Sequence, residues 1–404
     1  MLFSFPLVLV GLGYIAEKLP DVYYISSEEK ANFALYPFSV VSNLEHSQTC
    51  LNNRIDPLDK SEKIPAKLTF MNLIPIKTVE VRLKENSYVI PCGIPFGVKL
   101  YTKGVLVIGT SNVSTSEGIT EPWKKAGIKK GDVITIIENE EVTSNNELEN
   151  IIQNSEGKEL SLKILRGNSE FDTKLKPVKS IDDNKYRIGM WVRDSSAGIG
   201  TLTFCEKESN IFAGLGHGIC DTDTSELLPL SHGDIVEAVI TNTVRGYKGA
   251  PGELKGCFTN PDSIGEIYNN NETGLYGTLK SLPENTSDIP VIMKQNVRKG
   301  PAKILTTVEG NSPELYDVNI DSINYDITAP TKNIKISVTD PRLLEKTGGI
   351  VQGMSGSPLI QNGGLIGAVT HVFVNNPAKG YAIFAETMLT NSNILLKTKY
   401  KNIS

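Results

Sequence analysis

Histidine is scarce in this chain of 404 residues: only His46, His217, His232 and His371 occur. Chemistry that needs an imidazole near neutral pH must draw on one of these four. Cysteine is nearly as sparse. Cys50, Cys92, Cys205, Cys220 and Cys257 make an odd number, and none belongs to a Cys-x-x-Cys pair. That argues against a metal site and against a dense disulfide framework, while one pair could still bridge in an oxidising space. No block of Lys or Arg could neutralise a run of phosphates, and the net charge is −5. Nucleic acid is therefore not an expected partner. Long hydrophobic runs are also missing, with one exception at the N-terminus, Leu2–Ala16. It is shorter than the roughly 20 residues of an unaided membrane span, no basic residue precedes it, and Pro6, Gly11 and Gly13 interrupt it. It suits the apolar core of an export signal or an anchor, leaving open whether it is cleaved or retained. What remains is ordinary for a folded protein: 39% hydrophobic and 22% charged residues, in a chain long enough for two or three domains.

After an apolar signal or anchor segment over residues 1–20, residues 21–95 read as an N-terminal region with short strands. Thr78–Leu83 alternates apolar and polar, the period of a half-buried strand. Residues 96–178 form a second unit. A glycine-bearing loop and an apolar run, Gly104–Gly109, are followed by Ala126-Gly127-Ile128-Lys129-Lys130-Gly131-Asp132 and by an amphipathic helix over Asn145–Asn154. The strand Leu160–Ile164 closes the unit. This order resembles a PDZ domain. The resemblance implies that a terminal carboxylate meets the loop Pro95–Val98 and that an extended peptide adds as a strand beside about Val98–Thr102, with Phe96, Gly97, Val98, Lys99 and Leu100 as the peptide-binding residues. Residues 179–185 read as a linker, and from Tyr186 to the end short β-like runs alternate with turn residues. The expected class is mainly β, with an all-β barrel or sandwich domain over residues 186–404.

Ser355 lies in Gly353-Met354-Ser355-Gly356-Ser357-Pro358. Small neighbours expose the hydroxyl, and the backbone N–H groups of Gly353 and Ser355 can point at one spot. They are the candidate donors for the oxyanion of an acyl transfer. A strand, an Asn362-Gly363 turn and a second strand are expected to follow. A serine needs a base. His217, framed by glycines in Gly214-Leu215-Gly216-His217-Gly218, leads over His371 and over His232, which sits in an expected turn. The orienting acid is less defined: Asp340 leads, with Asp234, Asp262 and Asp326 as alternatives. The Gly-x-Ser start is shared with the Gly-x-Ser-x-Gly elbow of α/β-hydrolases, but there a helix should follow the serine.

The stretch Thr347–Gly363, its continuation Leu365–Asn375, the Gly214–Gly218 block and Lys103–Val107 together resemble the stage IV sporulation protein B family. The resemblance implies a PDZ domain followed by a trypsin-like double β-barrel serine peptidase with no cofactor. His217 and Ser355 then fall on the base and nucleophile motifs, and Asp340 on the proposed acid. It implies an exported protein acting between forespore and mother cell, which cleaves a membrane-associated regulator of a membrane-embedded protease and so leads to activation of a late sigma factor. A catalytically inactive, PDZ-containing scaffold is the alternative.

Overall fold

The computed structural model describes residues 19–25, 33–35, 38–42, 63–83, 86–283 and 287–401. The segment Leu2–Ala16, His46 and Cys50 lie outside the described residues. Strands β1 (Val22–Ile25), β2 (Phe33–Leu35), β3 (Phe38–Ser42), β4 (Lys63–Phe70) and β5 (Ile74–Leu83) form one sheet in the order β1-β5-β4-β3-β2. The alternation over Thr78–Leu83 buries Val79 and Val81 against Tyr23, Val40 and Leu68.

Next come β6 (Tyr88–Pro91) and β7 (Pro95–Thr110), a strand of 16 residues shared by two bodies. Beyond Gly104 it belongs to the PDZ unit. That unit continues through β8 (Val113–Thr115), β9 (Gly118–Thr120), α1 (Pro122–Lys125), β10 (Val133–Ile137), β11 (Glu140–Glu141), α2 (Asn145–Asn154), β12 (Leu160–Arg166) and β13 (Ser169–Leu175). Its strands run β13-β12-β10-β7. Leu148 and Ile152 of α2 pack on Val105, Val107, Ile134 and Ile164. A reciprocal cap between Ser144 and Glu147 starts α2. In the β10–β11 turn, Glu138 and Asn139 have φ of 50° and 70°, a left-handed pair that Asn tolerates better than most residues.

The polar stretch 179–185 lies between β14 (Val178–Lys179) and β15 (Tyr186–Arg187), which pair with each other. The long β16 (Met190–Cys205), β17 (Ile211–Gly214), β18 (Leu230–Val244), β19 (Glu253–Asn271) and β20 (Gly274–Leu279) follow. They close a six-stranded barrel with the first half of β7, in the order β7-β18-β19-β20-β17-β16 and back to β7. His232, expected in a turn, is within β18 and stacks on Tyr101 with ring centroids 4.5 Å apart. After β21 (Ile289–Pro290), a second closed barrel is built by β22 (Gly300–Thr306), β23 (Glu314–Ile323), β24 (Ile334–Val338), β25 (Pro358–Gln361), β26 (Gly364–Phe373) and β27 (Asn376–Phe384). The β25–β26 hairpin turns at Asn362 and Gly363, with φ of 50° and 79°. Helix α3 (Pro341–Thr347) interrupts this barrel between β24 and β25, and α4 (Ala385–Lys401) ends the described chain. Met388 and Leu389 of α4 pack jointly on Phe204 and Tyr276 of the first barrel and on Leu365 and Ile383 of the second. One inter-barrel core therefore fixes how the barrels face each other.

The expected peptide-binding segment Phe96–Leu100 needs correction. It is a central stave of the first barrel, paired with β16 on one side and β18 on the other. Phe96, Val98 and Leu100 fill the barrel core, and a side chain at Gly97 would strike Phe258 and Val236. No edge is left for an added peptide. The alternation of Phe96, Val98 and Leu100 is that of a barrel stave.

Candidate active site and peptide groove

A cleft of about 860 Å³ opens between the barrels. Ser196–Ile199, Leu215 and His217–Cys220 line it from the first barrel; Thr328–Lys332, Gln352, Gly353, Ser355 and His371 line it from the second. Ser355 and His217 thus reach one space from opposite walls.

Two glycines explain how the walls come so close. Gly356 has φ +95°, and a Cβ there would lie 2.0 Å from the Thr201 carbonyl and 2.5 Å from the Leu215 nitrogen. Only a residue without a side chain lets the serine loop press on the end of β17. Gly353 also has φ +95°, with Leu254 against it. β16 then laces the loop down. Thr201 N donates to Ser355 O at 3.1 Å, Thr201 Oγ1 donates to Gly353 O at 2.8 Å, and Thr203 Oγ1 donates to Gly356 O at 2.7 Å. These threonines carry no motif, so sequence reading passed over them.

Within the loop, Gln352 N, Met354 N, Gly356 N and Ser357 N each donate to a backbone carbonyl. The N–H groups of Gly353 and Ser355 have no hydrogen-bond partner among the described residues. The Ser355 hydroxyl donates to Thr370 O at 2.9 Å.

His217 follows β17 in a tight turn where Leu215 and Gly216 have φ of 65° and 69°. Its Nδ1 lies 2.9 Å from the Gly218 carbonyl. A carbonyl only accepts, so Nδ1 carries the proton and Nε2 keeps its lone pair. Burial pushes its pKa below 6.5. The His371 ring is 5.2 Å away, centroid to centroid. Burial, then the like charge of His217 and Lys332, pulls His371 down to about 4. Both imidazoles are thus neutral at neutral pH. Glu272 is the carboxylate among the cleft-lining residues, a position that sequence reading did not single out.

Asp340 is not among the residues that line the cleft. It caps α3, accepting from Arg342 N at 2.9 Å, and it holds the Arg342 guanidinium through Oδ2, also at 2.9 Å. It further accepts from Asp317 N at 3.2 Å. The Arg342 side chain above all lowers its carboxyl to about 2. Asp340 and Pro341, expected to supply the acid, form a helix start.

Residues 184–389, just over half of the chain, match the family described as SpoIVB peptidase S55. The chain belongs to this family. As an S55 peptidase it is a serine peptidase, and its residues 97–176 match the PDZ domain. No curated protein matches the chain. Among solved structures, an inactive mutant form of Rv3671c from M. tuberculosis H37Rv is 13% identical, covering 48% of this chain and 82% of that one, at a TM-score of 0.27.

In this S55 peptidase the free strand edge of the PDZ unit lies outside the matched PDZ residues. Met190–Arg193 of β16 pair with Leu106–Thr110 of β7, and their other edge faces α2. A groove of about 540 Å³ runs there, with Leu148 and Ile152 on the helix side and Ile188–Val192 on the strand side. Ile188, Met190 and Val192 turn inward, alternating as strand residues do. The loop before them reads Arg187-Ile188-Gly189-Met190. Gly189 has φ +70°, and a Cβ there would lie 2.4 Å from Ser111 O. The Gln153 side chain closes that end of the groove, donating to Tyr186 O at 2.8 Å and accepting from Tyr186 N at 3.0 Å.

Proposed function

We propose that the chain is an endopeptidase that cuts a regulatory protein, with Ser355 as nucleophile and His217 as general base. One observation carries this reading: Ser355 and His217 enter a single cleft from facing barrels, beside two unpartnered N–H donors. In the reaction, the Ser355 hydroxyl turns from the Thr370 carbonyl towards His217 Nε2, loses its proton there and attacks the peptide carbonyl. The Gly353 and Ser355 N–H groups take the resulting oxyanion, each contributing about 3 kcal/mol. His217 returns the proton to the leaving amine, and water repeats the cycle on the acyl-enzyme. The Gly218 carbonyl sets the tautomer of His217, the task given to a carboxylate in the Ser-His-Asp arrangement, with the His371 imidazole alongside. Asp340 has no part in this chemistry.

The groove between α2 and Ile188–Val192 would take an extended C-terminal segment of a substrate, of a partner or of the chain itself, by strand addition. The family and the order of PDZ unit before peptidase support a signalling role over digestion. On this reading the protein is exported through its N-terminal apolar segment, acts between forespore and mother cell, and cleaves a regulator of a membrane-embedded protease.

Covalent labelling by a fluorophosphonate probe tests the site. Labelling at Ser355 should vanish in Ser355→Ala and in His217→Ala, with thermal midpoints near that of the parent. Undiminished cleavage by Ser355→Ala would falsify the assignment.

A further inference from the structure

We infer that Cys92 and Cys205 are a latent cross-link, closing to a disulfide when the chain folds in the presence of a disulfide oxidant. Cys92 directly follows β6, and Cys205 is the last residue of β16. Their Sγ atoms lie 3.3 Å apart. Both residues are buried in the core of the first barrel. The pairing of the two strand ends holds them side by side: Cys92 N donates to Thr203 O at 3.0 Å, and Cys205 is in register with Ile90. With a period of two along each strand, Cys92 and Cys205 are diagonal neighbours on one face. Closing from 3.3 Å to a bond of about 2.05 Å combines side-chain rotation with a small approach of the two strand ends, because diagonal positions lie near the upper limit of separation for a disulfide. Cys220 and Cys257 are exposed, which leaves Cys92 and Cys205 as the paired thiols among the described residues.

The exchange balances in two steps. One cysteine thiolate attacks a small-molecule disulfide or an oxidised thiol–disulfide oxidoreductase, forming a mixed disulfide and releasing one thiol. The second cysteine thiolate attacks the protein sulfur of that intermediate and expels the other half of the oxidant. Two electrons and two protons leave the cysteine pair, and the oxidant departs as two thiols. In the closed barrel neither sulfur is accessible, and burial holds the Cys92 thiol well above the usual range. The exchange therefore belongs to the stage before barrel closure, and the folded chain keeps the state in which it closed. The bridge would span 113 positions, stapling the base of the whole PDZ excursion.

The test uses the full chain with Cys50→Ser, Cys220→Ser and Cys257→Ser, refolded with oxidised glutathione or with reductant. Expected after oxidative refolding is an intact mass lower by two hydrogen atoms, no alkylation after denaturation, and reversal of both by reductant. The thermal midpoint should exceed that of the reduced form by roughly 5 °C or more. Alkylation of both cysteines in the denatured oxidised sample overturns the inference. Should the triple variant fail to fold, disulfide mapping of the parent chain decides. A peptide linking Cys92 to Cys205 supports the pair, and a bond from either one to another cysteine overturns it.

Discussion

His217 is held neutral by its surroundings, and this has a direct kinetic consequence. The base must be unprotonated to accept the Ser355 proton, and burial lowers its pKa from 6.5. The charged, inactive form therefore appears only at lower pH. The acid limb of kcat/KM, measured on a peptide substrate from pH 4 to 8, should have its midpoint below 6.5. A midpoint at or above that value would contradict the burial account. At this scale the glycine neighbours of Ser355 and His217 mark both as candidates in the sequence, and the structure brings both to one cleft. The orienting group was not legible. A backbone carbonyl such as that of Gly218 leaves no trace in sequence, and an Asp before Pro reads equally well as acid, turn or cap.

Among the elements, α3 shows what Asp340 does. Asp340→Ala removes the cap and leaves the Arg342 guanidinium without its carboxylate, so a loss of about 1–2 kcal/mol is expected in denaturant unfolding. Steady-state assays below the melting range should give an unchanged kcat/KM; a large fall in kcat would instead restore Asp340 to the chemistry. The sign with pH follows from its lowered carboxyl. Its folded value near 2 lies below the ordinary 3.8, so the stabilisation is present above 3.8 and is lost as pH falls towards 2. The groove gives a second prediction. Ile188→Asp puts a charge among Leu148 and Ile152, and should abolish binding of apolar C-terminal peptides in a fluorescence titration while Ser355 labelling persists. Short strands, hairpin turns and the capped helix α2 could be read from period and punctuation. Helix α4 was not read: Ala385, Met388, Leu389 and Ser392, which it buries, fall at helical spacing, but the stripe is short and ends in a serine.

For the whole molecule, the boundary between units is the decisive point. Sequence reading divides the chain at the polar stretch 179–185, and composition supports that cut. Pairing does not, because β7 and β16 each serve both the PDZ unit and the first barrel. Which strands pair over long separations depends on tertiary packing, and composition does not encode it. A chain restricted to residues 186–404 would lack β6 and β7, leaving β16 and β18 with open, apolar edges. It should be insoluble or lack cooperative thermal unfolding by circular dichroism. A truncated chain that folds and labels fully at Ser355 would refute the shared-strand architecture.

The same long pairings bear on timing. A chain emerging N-terminus first exposes Phe96–Leu100 well before its partners, Gly198 of β16 and Ile235 of β18, have been made. Such non-local contacts form slowly and late. The PDZ groove must also wait, since its free edge is part of β16. A partly synthesised chain therefore gains its docking groove only once Met190–Arg193 has been made, and its cleft only after the second barrel brings Ser355 to face His217.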